Sequence, residues 1–427
     1  MSYKKLGDLV RFISNKNTDE RATVLYGINI DKFFMPSVAN TIGVDLKKYK
    51  VVDKYQFACN RMHVGRDKRL PISMSTYDYP FIVSPAYDVF EVIDTNVVIP
   101  EYLMLWFRRG EFDRQCWFYT DADVRGGLHL DALKAIEIEI LSIEKQREIV
   151  AQYEAVANKI RVNEAICEKL EATAQALYKQ WFVDFEFPIT KESHPELFCH
   201  SELVEESTTK SYKSSGGKMI FNEELEREIP EGWDISPVSE YFKVNSGFAF
   251  KSDWWTNSGV PIIKIGTIKN NTIEESELAY INENKLSKSI KAYVEQGDIV
   301  IAMTGFTMGK IGLIPNIGKK IYVNQRVGYY KTGNTEMDSV GYLYCILKTQ
   351  EFQNQIWSFG GDSQQFNVSN NQVDSINILQ SNDQELINQF NTITAPIFKR
   401  LNFSYNINQK LSELQSLLLS RLARLEG

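Results

Sequence analysis

Apolar residues in the first 141 positions come in short runs, ATVLYGI, YPFIVS and YDVFEVI, set between turn residues; they predict strands. One stretch there, PEYLMLWFRRGEF from Pro100, predicts an amphipathic helix. From about residue 142 the pattern changes. Ile149, Tyr153, Val156, Ile160, Asn163, Cys167, Leu170, Ala174, Leu177 and Trp181 alternate steps of four and three, a seam for one partner helix. Asn163 is its single polar member, readable as a register-fixing residue or as an exposed position at a frayed seam. At ~1.5 Å per residue, some 38 residues span roughly 57 Å. Residues 188–232 are polar, Ser/Thr/Glu-rich and carry a Gly pair, which predicts a mobile linker. After REIPEGWDI a second strand-rich unit follows, with VPIIKIGTI, GDIVIAM, GKIGLI and KIYVNQRVGYY. A second long helix covers about 383–425. It uses Leu386, Phe390, Ile393 and Ile397, then Ile407, Leu411, Leu414, Leu418, Leu422 and Leu425. Pro396 should kink it or divide it.

The chain also contains itself twice. At a shift of 240, Tyr102 meets Tyr342, Leu103 meets Leu343, Glu111-Phe112 meets Glu351-Phe352, Gln115 meets Gln355 and Trp117 meets Trp357. Ile136 and Ile138 meet Ile376 and Ile378 at the same shift. A period this long is a duplicated module, not a solenoid repeat. The expected division is 1–141, first globular unit; 142–187, central helix; 188–232, linker or insertion; 233–380, second globular unit; 381–427, C-terminal helix. The fold class is α+β: two mixed α/β units and two long helices forming a coiled coil, with a pseudo-two-fold internal repeat. If the halves obey a two-fold, the helices pack antiparallel within one chain; a homodimer with intermolecular helix pairing is the alternative.

With 43% apolar and 12% aromatic residues, wholesale disorder is excluded. No run of 18 or more apolar residues and no signal-peptide core appear, and five scattered cysteines lack C-x-x-C spacing. These features predict a soluble, cytoplasmic protein without a membrane partner. The net charge of −7 argues at first against nucleic acid, but the excess is local. Residues 142–232 hold 11 basic and 18 acidic side chains, while 1–141 hold 19 of each and 233–380 hold 13 and 14. Within 47–69, eight Lys/Arg face only Asp53 and Asp67, with Tyr49, Tyr55, Phe57 and His63 interleaved. That is a candidate phosphate-contacting patch, or equally a solvated strand-loop.

Catalytic signatures are missing. Gly305–Ile311 (GFTMGKI) follows a strand as a phosphate loop would, but only three residues separate Gly305 from Gly309-Lys310, and Ile311 stands where Ser/Thr must hold magnesium. No H-E-x-x-H occurs, and His194, Cys199 and His200 have poor ligand spacing. The chain is expected to do no chemistry itself.

EIPEGWDISPVSEYFKVNSGFAFKSDWWTNSGVPIIKIGTI and GDIVIAMTGFTMGKIGLI resemble the start of a target recognition domain in the specificity subunit of type I restriction–modification systems. SSGGKMIFNEELEREIPEGW, LEATAQALYKQWFVDFEFP and LLSRLARL resemble that family's central and C-terminal regions. The first unit lacks a clear copy of GFAFKSDWW…GVPIIKIG, and HPELFCHSELVEESTTK looks like an insertion. The resemblance implies two target recognition domains, each reading half of a bipartite double-stranded DNA sequence, and two long antiparallel helices that set the spacer. It implies two modification (methyltransferase) subunits as partners, with restriction subunits as further ones. S-adenosylmethionine, ATP and Mg are then expected on those partners and no cofactor or metal on this chain. The competing readings are a coiled-coil scaffold joining two protein-binding domains, and a specificity subunit serving a fused restriction–modification enzyme.

Base reading needs paired donors and acceptors, chiefly Arg, Asn, Gln and Lys. In the first unit the candidates are Arg61, His63, Arg66, Lys68 and Arg69, then Ser84 and Arg125. In the second they are Thr304, Thr307 and Lys310 on a Gly-rich loop, Asn324, Gln325 and Arg326 (matching Ser84-Pro85-Ala86 at the 240 shift), and Gln364, Gln365 and Asn367 in the loop matching that of Arg125.

Overall fold

A computed structural model of the chain describes residues 2–421 except 40–42, 63, 121–125, 199–208, 288–289, 333–334 and 361–366. Two compact units emerge, Met1–Lys159 with Leu411–Gly427, and Ile160–Lys410. Each long helix therefore contributes to both units instead of standing as a domain of its own.

In the first unit, β1 (Val10–Ile13), β2 (Phe57–Cys59), β3 (Ile72–Met74) and β4 (Asp88–Val92) form an antiparallel sheet in the order β1-β4-β2-β3. Its apolar face stacks Phe57 on Phe90, ring centroids 5.0 Å apart, against the edge of Phe107. The amphipathic helix expected from Pro100 is two helices, α1 (Pro100–Phe107) and α2 (Gly110–Phe118). The chain turns at Arg108-Arg109, and α1 is buried almost all round, so its run of apolar residues is core and not a stripe. After α3 (Leu130–Ala135), α4 (Ile143–Tyr178) begins, and its Gln146 accepts from Ile99 N at 3.0 Å at the start of α1.

The second unit repeats this plan. β5 (Asn245–Ser246), β6 (Ile299–Ala302), β7 (Ile311–Leu313) and β8 (Val327–Tyr330) take the order β5-β8-β6-β7. The pair Phe57/Phe90 recurs as Ile299/Tyr330. Helices α5 (Gly341–Leu347), α6 (Gln350–Ser358) and α7 (Asn370–Asp374) follow, as α1–α3 do. Its five-stranded sheet, built on Val260–Ile263 and Ile321–Val323, enlarges a smaller counterpart in the first unit, where Phe81–Val83 pairs with Lys50–Val52 and Ile82 bridges Leu25.

Segment 188–232 is not a plain linker among its described residues. Pro188–Ile189 pairs with Lys210–Ser211, and Met219–Asn222 with Arg227–Pro230. Tyr212 stacks on Phe187 at 4.5 Å and Phe187 on Trp233 at 5.8 Å, anchoring the segment to the core of the second unit. Composition pointed to mobility because Tyr212, the one of these three aromatics inside the segment, is outnumbered by polar neighbours.

Every seam position named on α4 is buried or half-buried. Asn163 is 2% exposed and donates to Asn408 Oδ1 at 3.0 Å, which settles its two readings in favour of the paired one. A π-turn, Lys179–Val183, closes the helix and buries Trp181 and Phe182. Within the second unit α4 and α8 (Gln384–Arg421) run antiparallel: Asn163 meets Asn408, and Trp181 meets Phe390 at 5.4 Å. Pro396 does not divide α8. Both Pro396 and Thr392, whose carbonyl loses its helical donor, lie on the exposed side where water can replace the bond. The seam of α8 is displaced from the expected one. Ile393 and Leu414 are 49% and 43% exposed, Leu411 and Leu418 half-buried, and Leu422 and Leu425 lie outside the described residues. The buried face instead carries Ile387, Phe390, Asn391, Thr394, Phe398, Leu401, Asn402 and Tyr405.

Burial raises the phenols of Tyr178, Tyr330, Tyr342, Tyr344 and Tyr405, and the thiols of Cys167 and Cys345, above their ordinary values. All seven sit in the second unit. A raised pKa means that the folded state keeps protons which the unfolded chain releases. Stability from these groups is thus complete below about 9 to 10, the ordinary thiol and phenol values, and falls as pH climbs beyond. Urea titrations of the chain should show a steady midpoint from pH 7 to 9 and a steep decline above 10; a flat midpoint to pH 11 would contradict this burial.

Candidate nucleic-acid interface

In the second unit three loops converge at one end of the sheet. Residues 303–310 join β6 to β7, with Gly309 N donating to Ala302 O at 2.9 Å and both Gly305 and Gly309 at positive φ. Residues 324–326 lead into β8, and 367–369 lead into α7. Met303 is the node. Its N–H donates to Arg326 O at 3.1 Å and its carbonyl accepts from Val368 N at 3.0 Å; Thr304 bridges Asn367. Gly247, from the SGFAF stretch, explains itself here: a Cβ would lie 2.1 Å from the carbonyl oxygen of Asn324. Only glycine lets Phe248 accept from Gln325 N at 3.0 Å and fix the loop.

Thr304, Gln325, Arg326 and Asn367 line one groove of about 490 Å³ with Ser246, Ser369, Asn370 and Asn371. Gln325, Arg326, Asn367 and Lys310 are exposed, and Arg326 has no carboxylate partner among the described residues. Thr307 and Asn324 are half-buried; Asn324 turns its amide oxygen to Arg326 N at 3.4 Å, shaping its own loop. The Ser246 and Ser369–Asn371 contribution was missed in the sequence, although SNNQ is a dense run of small hydrogen-bonding side chains.

The first unit assembles the same edge. Leu128 N donates to Arg61 O at 3.0 Å, the counterpart of Val368 N to Met303 O, and Gly65 N donates to Gly126 O at 2.7 Å. Not every expected side chain is offered outward. Arg61 is turned in, held by Asp88 at 2.5 Å and by Leu128 O, so its side chain fastens the loops. Ser84 shapes a turn through Ala86 N at 3.4 Å and Tyr87 N at 3.0 Å. Arg66, Lys68 and Arg69 are exposed, the first paired with Asp67, the second over the Trp117 ring at 4.9 Å, the third with Asp31 at 3.1 Å. His63, Arg125, Gln364 and Gln365 lie outside the described residues. A groove of about 610 Å³ gathers Lys68, Arg69, Arg108 and Arg114, with Arg108 donating to Tyr153 Oη at 3.1 Å.

Equivalent helix positions anchor the two loops by different chemistry. Gln353 Nε2 donates to Gly309 O at 3.0 Å and to Leu347 O at 2.7 Å. At the position 240 residues earlier, Asp113 Oδ1 accepts from Leu70 N at 3.1 Å and from Lys32 Nζ at 2.8 Å, and that ammonium also reaches Phe107 O. Burial pulls Lys32 below its ordinary pKa, opposed by Asp113.

A family model described as the type I restriction modification DNA specificity domain matches residues 230–409. The type I restriction enzyme HindI specificity subunit of Haemophilus influenzae is 23% identical, covering 98% of this chain and 97% of the relative. The MjaIX specificity subunit of Methanocaldococcus jannaschii is also 23% identical, over 78% of this chain and 70% of its own. Among solved structures, the type I restriction–modification S subunit from M. genitalium aligns over 99% of this chain and 95% of that chain, with TM-score 0.52 and 12% identity, a likeness of fold. Among the described residues no helix is long and apolar enough to cross a membrane. Residues 230–409 thus match the DNA specificity domain of type I restriction–modification systems, and the chain is similar along nearly its whole length to a specificity subunit of such a system.

Proposed function

We propose that this DNA-specificity subunit reads a bipartite duplex, one half per unit, through the loop edges at 61–69, 84–88 and 126–128 and at 304–310, 324–326 and 367–371. The observation that carries this reading is the recurrence of one three-loop edge, closed by the same backbone bond, Leu128 N to Arg61 O and Val368 N to Met303 O. Two copies of a reading surface on one chain call for a target in two parts. The cationic groove at Lys68, Arg69, Arg108 and Arg114 supplies phosphate contacts, which position the protein and carry the salt dependence. A coiled-coil scaffold without DNA would have no use for paired edges of Asn, Gln, Arg and Lys.

Specificity subunits of type I systems work in complexes with DNA and other subunits. Two methyltransferase subunits dock on the region of α4 and α8, and restriction subunits join them. Those partners bring S-adenosylmethionine, ATP and Mg, and this chain performs no catalysis. Co-expression with the methyltransferase, followed by genome-wide mapping of methylated bases, tests the proposal. One split motif with a fixed gap is the expected result; unsplit or absent methylation from a stable complex would defeat it.

The long helices set that gap. Removing seven residues from α4 and the matching seven from α8 shortens them by ~10 Å, about three base pairs. The methylated motif should keep both halves and change only its spacer. Altered half-sites in the same methylation map would sink the ruler.

A further inference from the structure

Among the described residues three large apolar side chains are more than three-quarters exposed: Val38 at 97%, Phe306 at 88% and Phe118 at 80%. A lone exposed apolar residue is ordinary on any protein surface. Placement is what distinguishes the two aromatics. Phe306 stands at the tip of the loop between β6 and β7, flanked by Thr304 and Thr307 and carried by the positive-φ Gly305. Phe118 ends α2, two residues before Thr120, which bridges Leu128, itself bonded to Arg61. Its ring meets the edge of Tyr119 at 5.3 Å, and the neighbouring Trp117 carries Lys68. So each recognition edge presents one highly exposed phenyl ring, from a loop in one unit and a helix end in the other. The positions are not copies: 118 corresponds to Ser358.

We propose that Phe306 and Phe118 make apolar contact with a DNA base, each in the half-site its own unit reads. A phenyl ring has no hydrogen bond to give; on a duplex it can lie against a partly unstacked base face or against the methyl group of thymine. Either contact discriminates among sequences, whereas a contact to phosphate holds DNA of any sequence. This inference rests on the DNA-reading role proposed above.

The test uses the full chain in complex with its methyltransferase, on duplexes carrying the split motif found by methylation mapping. Phe306→Ala should weaken binding to that duplex roughly ten-fold, the scale of one base–aromatic contact, and leave a scrambled duplex unaffected. With the half-site of the second unit scrambled, Phe306→Ala should cost nothing further. Phe118→Ala should behave in the same way for the other half. Phe306→Leu, equally compatible with folding at an exposed site, guards against loss of structure: it should retain binding if the thymine methyl is the contact. Two substitutions in the DNA separate the modes. 2-Aminopurine placed away from the methylated base should brighten with the parent chain and not with Phe306→Ala if a base face is contacted. Deoxyuridine for thymidine should weaken the parent and not Phe306→Ala if the methyl is contacted. Unchanged affinity, or equal loss on specific and scrambled duplexes, overturns the inference while a split methylation motif leaves the DNA-reading role standing. If the parent complex marks no split motif, that role itself has failed.

Discussion

Glu171→Ala should destabilise the unit spanning 160–410 by roughly 3–5 kcal/mol, the cost of removing one member of a buried charged network. Glu171 is 12% exposed and collects three donors: Tyr405 Oη at 2.7 Å, Asn271 Nδ2 at 2.7 Å and Lys348 Nζ at 3.2 Å. Those donors come from α8, from a turn and from the end of α5, so one carboxylate joins elements distant in sequence. Alanine strands all three and opens a cavity as well. Thermal unfolding should drop on the order of 10 °C for a unit of this size. Glu171→Gln keeps an acceptor and should cost clearly less. A shift of under 1 kcal/mol for the alanine variant in urea would mean that water already satisfies these donors.

Arg326→Ala should have the largest effect on recognition. Its carbonyl is pinned by Met303 N at 3.1 Å, so the backbone stays in place while the exposed guanidinium is lost. A bidentate arginine contact to a base discriminates by ~1–3 kcal/mol, about 5- to 150-fold. Methylation mapping should therefore show relaxed sequence at one position of one half-site, with the spacer and the other half intact. Uniform weakening on every sequence, with the salt slope reduced by about one, would mark Arg326 as a phosphate contact instead. Arg69→Ala should do less, because Arg69 must first leave Asp31 at 3.1 Å.

The repeat was readable in the sequence because α1–α2 and α5–α6 bury the same shapes, Tyr102 and Tyr342 among them, and buried shape constrains residue type. Asn163 stood out for a similar reason, as one polar residue in an otherwise apolar seam. The face of α8 was hidden because Asn391, Thr394 and Asn402 lie on it. Asn391 accepts from Tyr342 N at 2.8 Å and Asn402 donates to Ile314 O at 3.0 Å, partners that no periodicity reveals. The 240 shift brought together loops that the structure also places side by side, while the direction of individual side chains stayed hidden. Arg61 stood out as an arginine in a basic stretch, and nothing local announces that Asp88, 27 positions away, holds it. The anchors escaped notice since glutamine in one unit does the work of a lysine–aspartate pair in the other.

Those anchors have a consequence for how such a protein can change its target. Gln353 ends on the carbonyls of Gly309 and Leu347, and Asp113 and Lys32 end on Leu70 N and Phe107 O. Every one of these bonds to the loops is made to main chain, never to a loop side chain. If residues 304, 306, 307, 310, 325 and 326 do the reading, exchanging them should leave these anchors holding the loops. A new address for the enzyme needs only new letters on a fixed envelope.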